Sequence, residues 1–95
     1  MTTLQLYDQL SDIGVDEPVT MDGYNDCVVG ILERFGMEPI VIYDKEKVIQ
    51  KLIFYGCDTY QDAVEYYEYN QLGGWLGDKT PGFLVPLIKS HSEEL

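Results

Sequence analysis

Thr59–Phe83, TYQDAVEYYEYNQLGGWLGDKTPGF, is the stretch that decides the fold. Its first half predicts a helix over Thr59–Leu72, with Thr59 capping the amino end and forming a capping box with Asp62. The residues expected to face inward follow helical spacing and are apolar: Ala63, Val64 and Tyr67. The double glycine at positions 73–74 then ends the helix, and the Thr-Pro pair at 80–81 leads into a last strand.

The preceding residues predict a hairpin and two further helices. Residues 2–13 predict a short helix that ends at Gly14 and has an apolar stripe of Leu6, Tyr7, Leu10 and Ile13. Cys27–Phe35 fits either a helix or a strand, and its β-branched residues and central glycine favour a strand. With residues 36–39 as the loop, this strand would form a hairpin with Ile40–Tyr43. Lys45–Tyr55 has a clear apolar face and is predicted as a helix capped by Asp44.

These elements predict an α+β fold. A small antiparallel sheet would consist of the hairpin and a carboxy-terminal strand, Gly82–Ile88, with the helices Lys45–Tyr55 and Thr59–Leu72 covering one face. Pro86 inside the last strand predicts an edge position or an early end. The 95 residues make one domain. Residues 1–14 either pack on the body, which is the default expectation, or form a peripheral arm, and residues 89–95 are expected to be a frayed polar tail.

The charge balance is the strongest global signal, with 17 acidic residues against six basic ones and a net charge of −11. Such a surface repels nucleic acid and anionic membranes, because both present phosphates, and it attracts basic partners. The simpler interpretation is that acidity keeps a small protein soluble. No apolar run reaches membrane-spanning length and no secretory leader is recognisable, so we expect a cytoplasmic protein.

The outer face of the helix Thr59–Leu72 is the candidate partner-binding surface. It combines a line of carboxylates with flanking tyrosines: Asp62, Glu65, Tyr66, Glu68 and Tyr69. Tyrosine offers a large ring at low entropic cost and keeps a polar tip, so tyrosines beside carboxylates are typical of protein interfaces. These five residues are therefore predicted to bind a protein with a basic surface.

An alternative is a small-ligand pocket at an interface between copies, made of Lys47, Lys51, Tyr69, Asn70 and Trp75. The glycine-rich turn beside the indole could hold a nucleobase by stacking, with backbone N–H groups facing a phosphate. We favour the structural interpretation, in which the indole covers the core, Asn70 caps the turn, and the lysines offset the acidic surface.

No pattern indicates a catalytic, metal or cofactor site. Acid–base catalysis needs a positioned histidine or carboxylates with separated pKa values, and the one histidine, His91, lies in the polar tail. Cys27 and Cys57 lack the spacing of zinc ligands and a companion base, and we expect reduced thiols, although a disulfide between them stays open. The glycines at 73–77 match neither a P-loop nor a dinucleotide fingerprint. We therefore expect a non-enzymatic protein without a cofactor.

Four segments in fixed order carry a resemblance: MDGYNDCVVGILERFG, then PIVIYD, an apolar helix, and YQDAVEYYEYNQLGGWLGDKTPGF. In this order they resemble a family of small uncharacterised proteins of tailed bacteriophages. The resemblance covers about Met21–Phe83 and is most specific at residues 68–70, Gly77 and the Thr-Pro pair at 80–81. It implies a phage origin and no mechanism, because the family has no assigned activity.

The predicted function is that of an acidic phage accessory protein, which binds the basic surface of a host protein in the host cytoplasm. Inhibition of a defence or nucleic-acid-binding factor by DNA mimicry is the sharper hypothesis. Two rivals remain from other classes. One is a sponge for a nucleotide signal that uses the alternative pocket, and the other is a structural or assembly component that forms homodimers or larger oligomers.

Overall fold

A computed structural model of the chain describes residues 2–15 and 17–87. Its elements in chain order are α1 (Thr3–Asp12), a 3₁₀ turn (Asn25–Cys27), β1 (Val28–Arg34), β2 (Met37–Asp44), α2 (Lys45–Phe54), α3 (Tyr60–Tyr66), a π-helical turn (Tyr67–Leu72) and β3 (Gly82–Leu84). The predicted α+β fold, with a small sheet, two covering helices and an additional amino-terminal helix, is confirmed. The tail predicted at residues 89–95 lies outside the described residues.

β1 and β2 form the predicted antiparallel hairpin, so most of the ambiguous segment Cys27–Phe35 is a strand. Ile31 pairs with Val41 near its centre. The chain reverses at residues 35–36, where Gly36 has a φ of 74° that a glycine adopts without steric cost. β-Branched side chains pack well against their cross-strand neighbours, which explains why their presence favours a strand in this segment.

β2 begins earlier than predicted, at Met37 instead of Ile40. The expected loop over residues 36–39 therefore shrinks to a tight turn, and Pro39 lies inside the strand. Proline lacks an N–H to donate, so a central strand normally excludes it. Here the register slips between Leu32 and Arg34 of β1, opposite Pro39, and the missing donor falls within this irregularity.

β3 joins the far edge of β2 in parallel, which differs from the antiparallel pairing predicted for it. Ile42 pairs with Gly82 and Asp44 pairs with Leu84. The reason lies in the connection, because α2 and α3 carry the chain back across the sheet before β3 begins, and such a crossover delivers a parallel strand. The strand is also shorter than Gly82–Ile88 and ends two residues before Pro86, as the proline predicts.

The core lies between the sheet and the two covering helices. Its members come from facing positions of these elements: Val41, Tyr43, Val48, Ile49, Leu52, Ala63 and Tyr67. The Tyr43 ring is completely buried, and its hydroxyl accepts a hydrogen bond of 2.7 Å from the backbone N–H of Met21. This bond fixes the long loop before β1 against the sheet, since a buried N–H needs an acceptor.

α1 packs on this core through a narrower stripe than its sequence predicts. Thr2 caps the helix in a complete capping box. Leu6 and Leu10 are buried, whereas Tyr7 and Ile13 are exposed. Val15, just after the helix, joins the buried cluster. The helix therefore packs on the body of the protein, as expected by default, and only part of its apolar stripe makes the contact.

Both cysteines are free thiols, and their environments predict different reactivity. Cys27 is buried and Cys57 half-buried. Burial raises the pKa of the Cys27 thiol to about 11. Because the thiolate is the reactive form, we expect iodoacetamide at about pH 8 to modify Cys57 well before Cys27 in the folded protein, and both alike in denaturant. Peptide mass mapping of the labelled chain measures this, and equal labelling of the folded protein would contradict it.

Candidate functional site

α3 begins at the predicted cap. The Thr59 hydroxyl accepts a hydrogen bond of 3.1 Å from the backbone N–H of Asp62. The reciprocal half of the predicted capping box is not formed, because aspartate is one methylene shorter than the glutamate that usually reaches back. Asp62 therefore stays exposed in the first turn, where its charge favours the positive end of the helix.

Tyr67 fixes the rotation of this helix about its axis. Its ring is only 2% exposed and meets the Phe83 ring of β3 edge to face, with centroids 5.1 Å apart. The Lys45 ammonium lies 5.4 Å from the Tyr67 ring centroid, within cation–π range. Ala63, one turn earlier, is also fully buried. The side of the helix opposite these two residues consequently faces solvent.

The predicted partner-binding residues all lie on that solvent side. We call them the ridge: Asp62, Glu65, Tyr66, Glu68 and Tyr69. Tyr66 is 48% exposed and Tyr69 is 86% exposed. Residues 62, 65 and 66 have the spacing of one helical face, and the π-helical turn continues the surface through residues 68 and 69. The structure thus brings all five side chains onto one exposed surface.

The ridge has no basic residue close to it in sequence. From Leu52 to Asp78 the chain has five acidic residues and no lysine or arginine. The ion pair found within residues 2–15 and 17–87 joins Lys51 to Asp26 on another part of the surface. On the ridge itself, Glu65 accepts a hydrogen bond of 3.2 Å from Gln61, a neutral partner. The negative charge of the ridge is therefore directed at solvent.

Exposed apolar side chains follow the ridge along the chain. Leu72 is 56% exposed, Trp75 73% and Leu76 65%. The interpretation of Trp75 as a cover over the core is therefore wrong. Directly after the indole, the Leu76 N–H donates a hydrogen bond to the Thr80 hydroxyl, and this hydroxyl donates one to the Gly77 carbonyl, which closes a tight turn. Charge and aromatic surface occur side by side, as in a protein interface.

Tyr60 forms a contact between the two covering helices. The ring is half exposed, and its hydroxyl donates a hydrogen bond of 2.7 Å to Glu46 of α2. That bond to a carboxylate raises the pKa of the Tyr60 phenol. The bond ties α3 to α2 at the end where the ridge begins.

The residues predicted for the alternative ligand pocket do not share one cavity in the single chain. Lys47 and Lys51 border an open groove of about 500 Å³ along α2. Trp75 borders a second cavity and Asn70 a third. Tyr69 projects from the ridge. A pocket that used all five would need another copy of the chain to bring these surfaces together.

Lys51 is also engaged locally. Its ammonium lies 2.6 Å from the Asp26 carboxylate, and this hydrogen bond raises the pKa of Lys51 and lowers the pKa of Asp26. The same ammonium lies within 6.0 Å of the Phe54 and Tyr55 ring centroids. Lys51 thus offsets the charge of Asp26 and lies near two aromatic rings. This agrees with the structural interpretation of the α2 lysines.

In residues 2–15 and 17–87, no group of three or more histidine, cysteine, aspartate or glutamate side chains could hold a metal ion. The same residues contain no helix with the length and apolarity needed to span a membrane. Comparison of the chain with protein-family models, with curated proteins and with solved structures gives no match.

Sequence reasoning missed the third cavity as a possible site. It lies between the π-helical turn, the loop before β1 and β3, and its walls include Tyr24 and Gln71. Nothing in the local pattern singles out these two residues, because they are far apart in sequence and only the tertiary fold unites them. The double glycine after Leu72 is the nearest signal, and it indicates the end of a helix and not its π-helical form.

Proposed function

We propose that this chain is a non-enzymatic protein that binds a basic surface of a partner protein through the ridge. The observation that supports this most is the opposed placement of neighbouring tyrosines. Tyr67 is buried against Phe83, whereas Tyr66 and Tyr69 are exposed to solvent beside carboxylates that form no ion pair within residues 2–15 and 17–87. Large rings exposed on a rigid, anchored element lose little entropy when a partner covers them.

The chemistry of the ridge specifies the partner. Its carboxylates favour lysine and arginine side chains, and its tyrosine rings can pack on their aliphatic stems or receive a guanidinium over the ring face. The net charge of −11 adds a long-range attraction that speeds association with a basic surface. Leu72, Trp75 and Leu76 supply additional apolar area next to the charged row.

The resemblance to phage proteins gives the proposal its setting. A phage accessory protein acts in the cytoplasm of the host, where the basic partners available include nucleic-acid-binding proteins and defence factors. Such proteins hold phosphates in basic clefts, and a row of carboxylates on a helix offers them an alternative anion. We therefore propose inhibition by DNA mimicry as the specific form of the binding function.

Capture from bacterial lysate tests the proposal. Immobilised wild-type protein should retain a basic protein that elutes as salt is raised, because screening weakens contacts between exposed charges. Tyr69→Ala should reduce retention at least about tenfold, since an interface aromatic often contributes 2 kcal/mol or more. The matched control is Phe35→Ala, which removes a still more exposed ring at the hairpin turn and should leave retention unchanged.

The readout is quantitative mass spectrometry of the eluate, followed by affinity measurement with the purified partner. Equal loss in the two variants would show non-specific adhesion, and unchanged retention by Tyr69→Ala would refute the ridge as the binding surface. Sedimentation of the wild-type protein at several concentrations separates this outcome from self-assembly, in which the ridge would be covered by a second copy.

A further inference from the structure

The second cavity, which Trp75 borders, lies where the end of the hairpin meets the turn after the π-helical segment. Its volume is about 430 Å³, within the range of about 300–1,000 Å³ typical of small-molecule sites. Apolar side chains from three parts of the chain line it: Met37, Ile40, Leu72, Trp75 and Pro81. Ligand sites are usually concave and apolar, with a few polar groups that fix the orientation of the ligand.

Two glycines make the backbone part of this wall. A Cβ atom at Gly73 would lie 2.9 Å from the Tyr69 carbonyl oxygen, and one at Gly74 would lie 3.0 Å from the Asn70 carbonyl oxygen. A side chain would therefore collide at Gly73 and be crowded at Gly74, so only backbone atoms line the cavity at these two positions. Glycine lets a ligand approach the backbone closely. The double glycine thus shapes a cavity in addition to ending the helix.

Trp75 offers its ring to an aromatic ligand. The indole is 73% exposed although it borders this cavity, so one of its surfaces is free to pack against a second flat group. Met37 and Leu72, which border the same cavity, are also about half exposed. An apolar ligand would therefore remove apolar surface from water on several sides at once, which favours binding.

Two charges of opposite sign determine the class of ligand. Of the described residues that line the cavity, Arg34 at the end of β1 and Asp78 in the turn after Trp75 are the charged ones. They form no ion pair with each other, and neither forms one with another residue within positions 2–15 and 17–87. The planar guanidinium matches a carboxylate in a two-point contact, and the Asp78 carboxylate matches an ammonium group.

We propose that this cavity binds a small apolar zwitterion, with its carboxylate on Arg34, its ammonium group on Asp78 and an aromatic side chain against Trp75. Free aromatic amino acids and short peptides with an aromatic residue share this chemistry. A ligand with one charge would leave Arg34 or Asp78 without a counter-ion, and a nucleotide would bring its phosphate close to Asp78. The site does not depend on the proposed partner binding, and its test needs only the purified chain.

The single tryptophan of the chain gives a direct readout. Its fluorescence is excited at the red edge of the absorption band, where phenylalanine does not absorb. We expect a saturable change with phenylalanine and with the dipeptide leucyl-phenylalanine, and the tighter of the two identifies free amino acids or peptide ends as the source of the ligand. Phenethylamine, which lacks the carboxylate, and hydrocinnamate, which lacks the ammonium group, should each bind about fivefold more weakly than phenylalanine, as expected for one exposed ion pair.

Arg34→Gln and Asp78→Asn separate the two charge contacts. Arg34→Gln should bind phenylalanine and phenethylamine alike and still prefer phenylalanine to hydrocinnamate, because only the carboxylate contact is gone. Asp78→Asn should show the reverse pattern. Lys47→Gln and Asp58→Asn are the matched controls, which make the same charge changes at exposed positions outside this cavity and should bind like the wild type. Circular dichroism checks that each variant keeps the fold.

The proposal fails if phenylalanine and the dipeptide give no saturable change up to their solubility limits. It also fails if phenethylamine and hydrocinnamate bind as tightly as phenylalanine, because the cavity would then act only as an apolar surface. An unchanged order of preference in either Arg34→Gln or Asp78→Asn would exclude that side chain as a contact of the ligand and would overturn the zwitterion assignment.

Discussion

Replacement of Tyr67 by alanine is expected to lower the free energy of unfolding by about 3–5 kcal/mol, the range for removal of a large buried ring. The ring is almost completely buried, contacts Phe83 edge to face and lies beneath the Lys45 ammonium. Its removal leaves a cavity between β3 and the π-helical turn that continues α3, and it breaks the aromatic pair that joins them. Domains of this size are stable by only about 5–15 kcal/mol, so much of the margin would be lost.

The adjacent tyrosine is the natural control. Tyr66→Ala changes the same residue type in the same helix at a position that is about half exposed. Surface substitutions of this kind usually alter the free energy of unfolding by no more than about 0.5 kcal/mol. Urea unfolding followed by circular dichroism compares the two variants directly. Similar losses for both would show that the helix does not present the buried and exposed faces described.

Charge reversal of the ridge is expected to have the largest effect on function. Glu65→Lys combined with Glu68→Lys places cations where a basic partner approaches, and like charges brought together at an interface cost several kcal/mol. We expect affinity for the captured partner to fall by at least about tenfold, and the remaining binding to lose most of its salt dependence. Both side chains are exposed, so the fold should be retained.

A matched variant separates the ridge from net charge. Asp8→Lys combined with Asp12→Lys on α1 changes the net charge by the same amount at exposed positions away from α3. It should slow association slightly through the overall field and leave the lifetime of the complex unchanged. Surface plasmon resonance of both variants with the captured partner measures the association rate and the lifetime of the complex. If both lose affinity equally, the binding depends on bulk charge, and the ridge has no specific role.

Helical spacing alone predicted which side of α3 faces the core. Ala63 and Tyr67 are separated by one turn and are both buried, whereas Tyr66 and Tyr69 are exposed. This works because an amphipathic helix repeats its faces every 3.6 residues, whatever it packs against. The same rule predicted the buried face of α2, where Val48, Ile49 and Leu52 are buried. The candidate surface was therefore readable from the sequence.

The direction of β3 was harder to predict from the sequence. A strand pattern says which residues alternate but not which neighbour they pair with, so the antiparallel assignment relied on the hairpin before it. The two helices between β2 and β3 were predicted, and the crossover that they form is the feature that fixes a parallel pairing. Likewise, Pro39 led to the prediction of a loop. The strand accepts this proline because the pairing register slips opposite it, and that slip depends on the partner strand.

The π-helical turn had no readable signal at all. Its residues, Tyr67–Leu72, satisfy an α-helical pattern as well as a π-helical one, and the difference is set by packing on both sides. The buried side-chain oxygen of Gln71, which has no hydrogen-bond partner within the described residues, is equally invisible in the sequence. Sites that arise from local propensity can be predicted, whereas sites that arise from the meeting of distant segments cannot.

The parallel pairing of β2 with β3 also sets the stage of folding at which the ridge acquires its orientation. The β1–β2 hairpin needs only contacts between near neighbours along the chain, but β3 must close a loop that contains both covering helices, and distant closures of this kind are slow. Phe83, which locks Tyr67 in place, belongs to that late-closing segment. During synthesis the ridge therefore acquires its fixed outward orientation only after β3 has left the ribosome, so chains that do not yet include β3 would not present it.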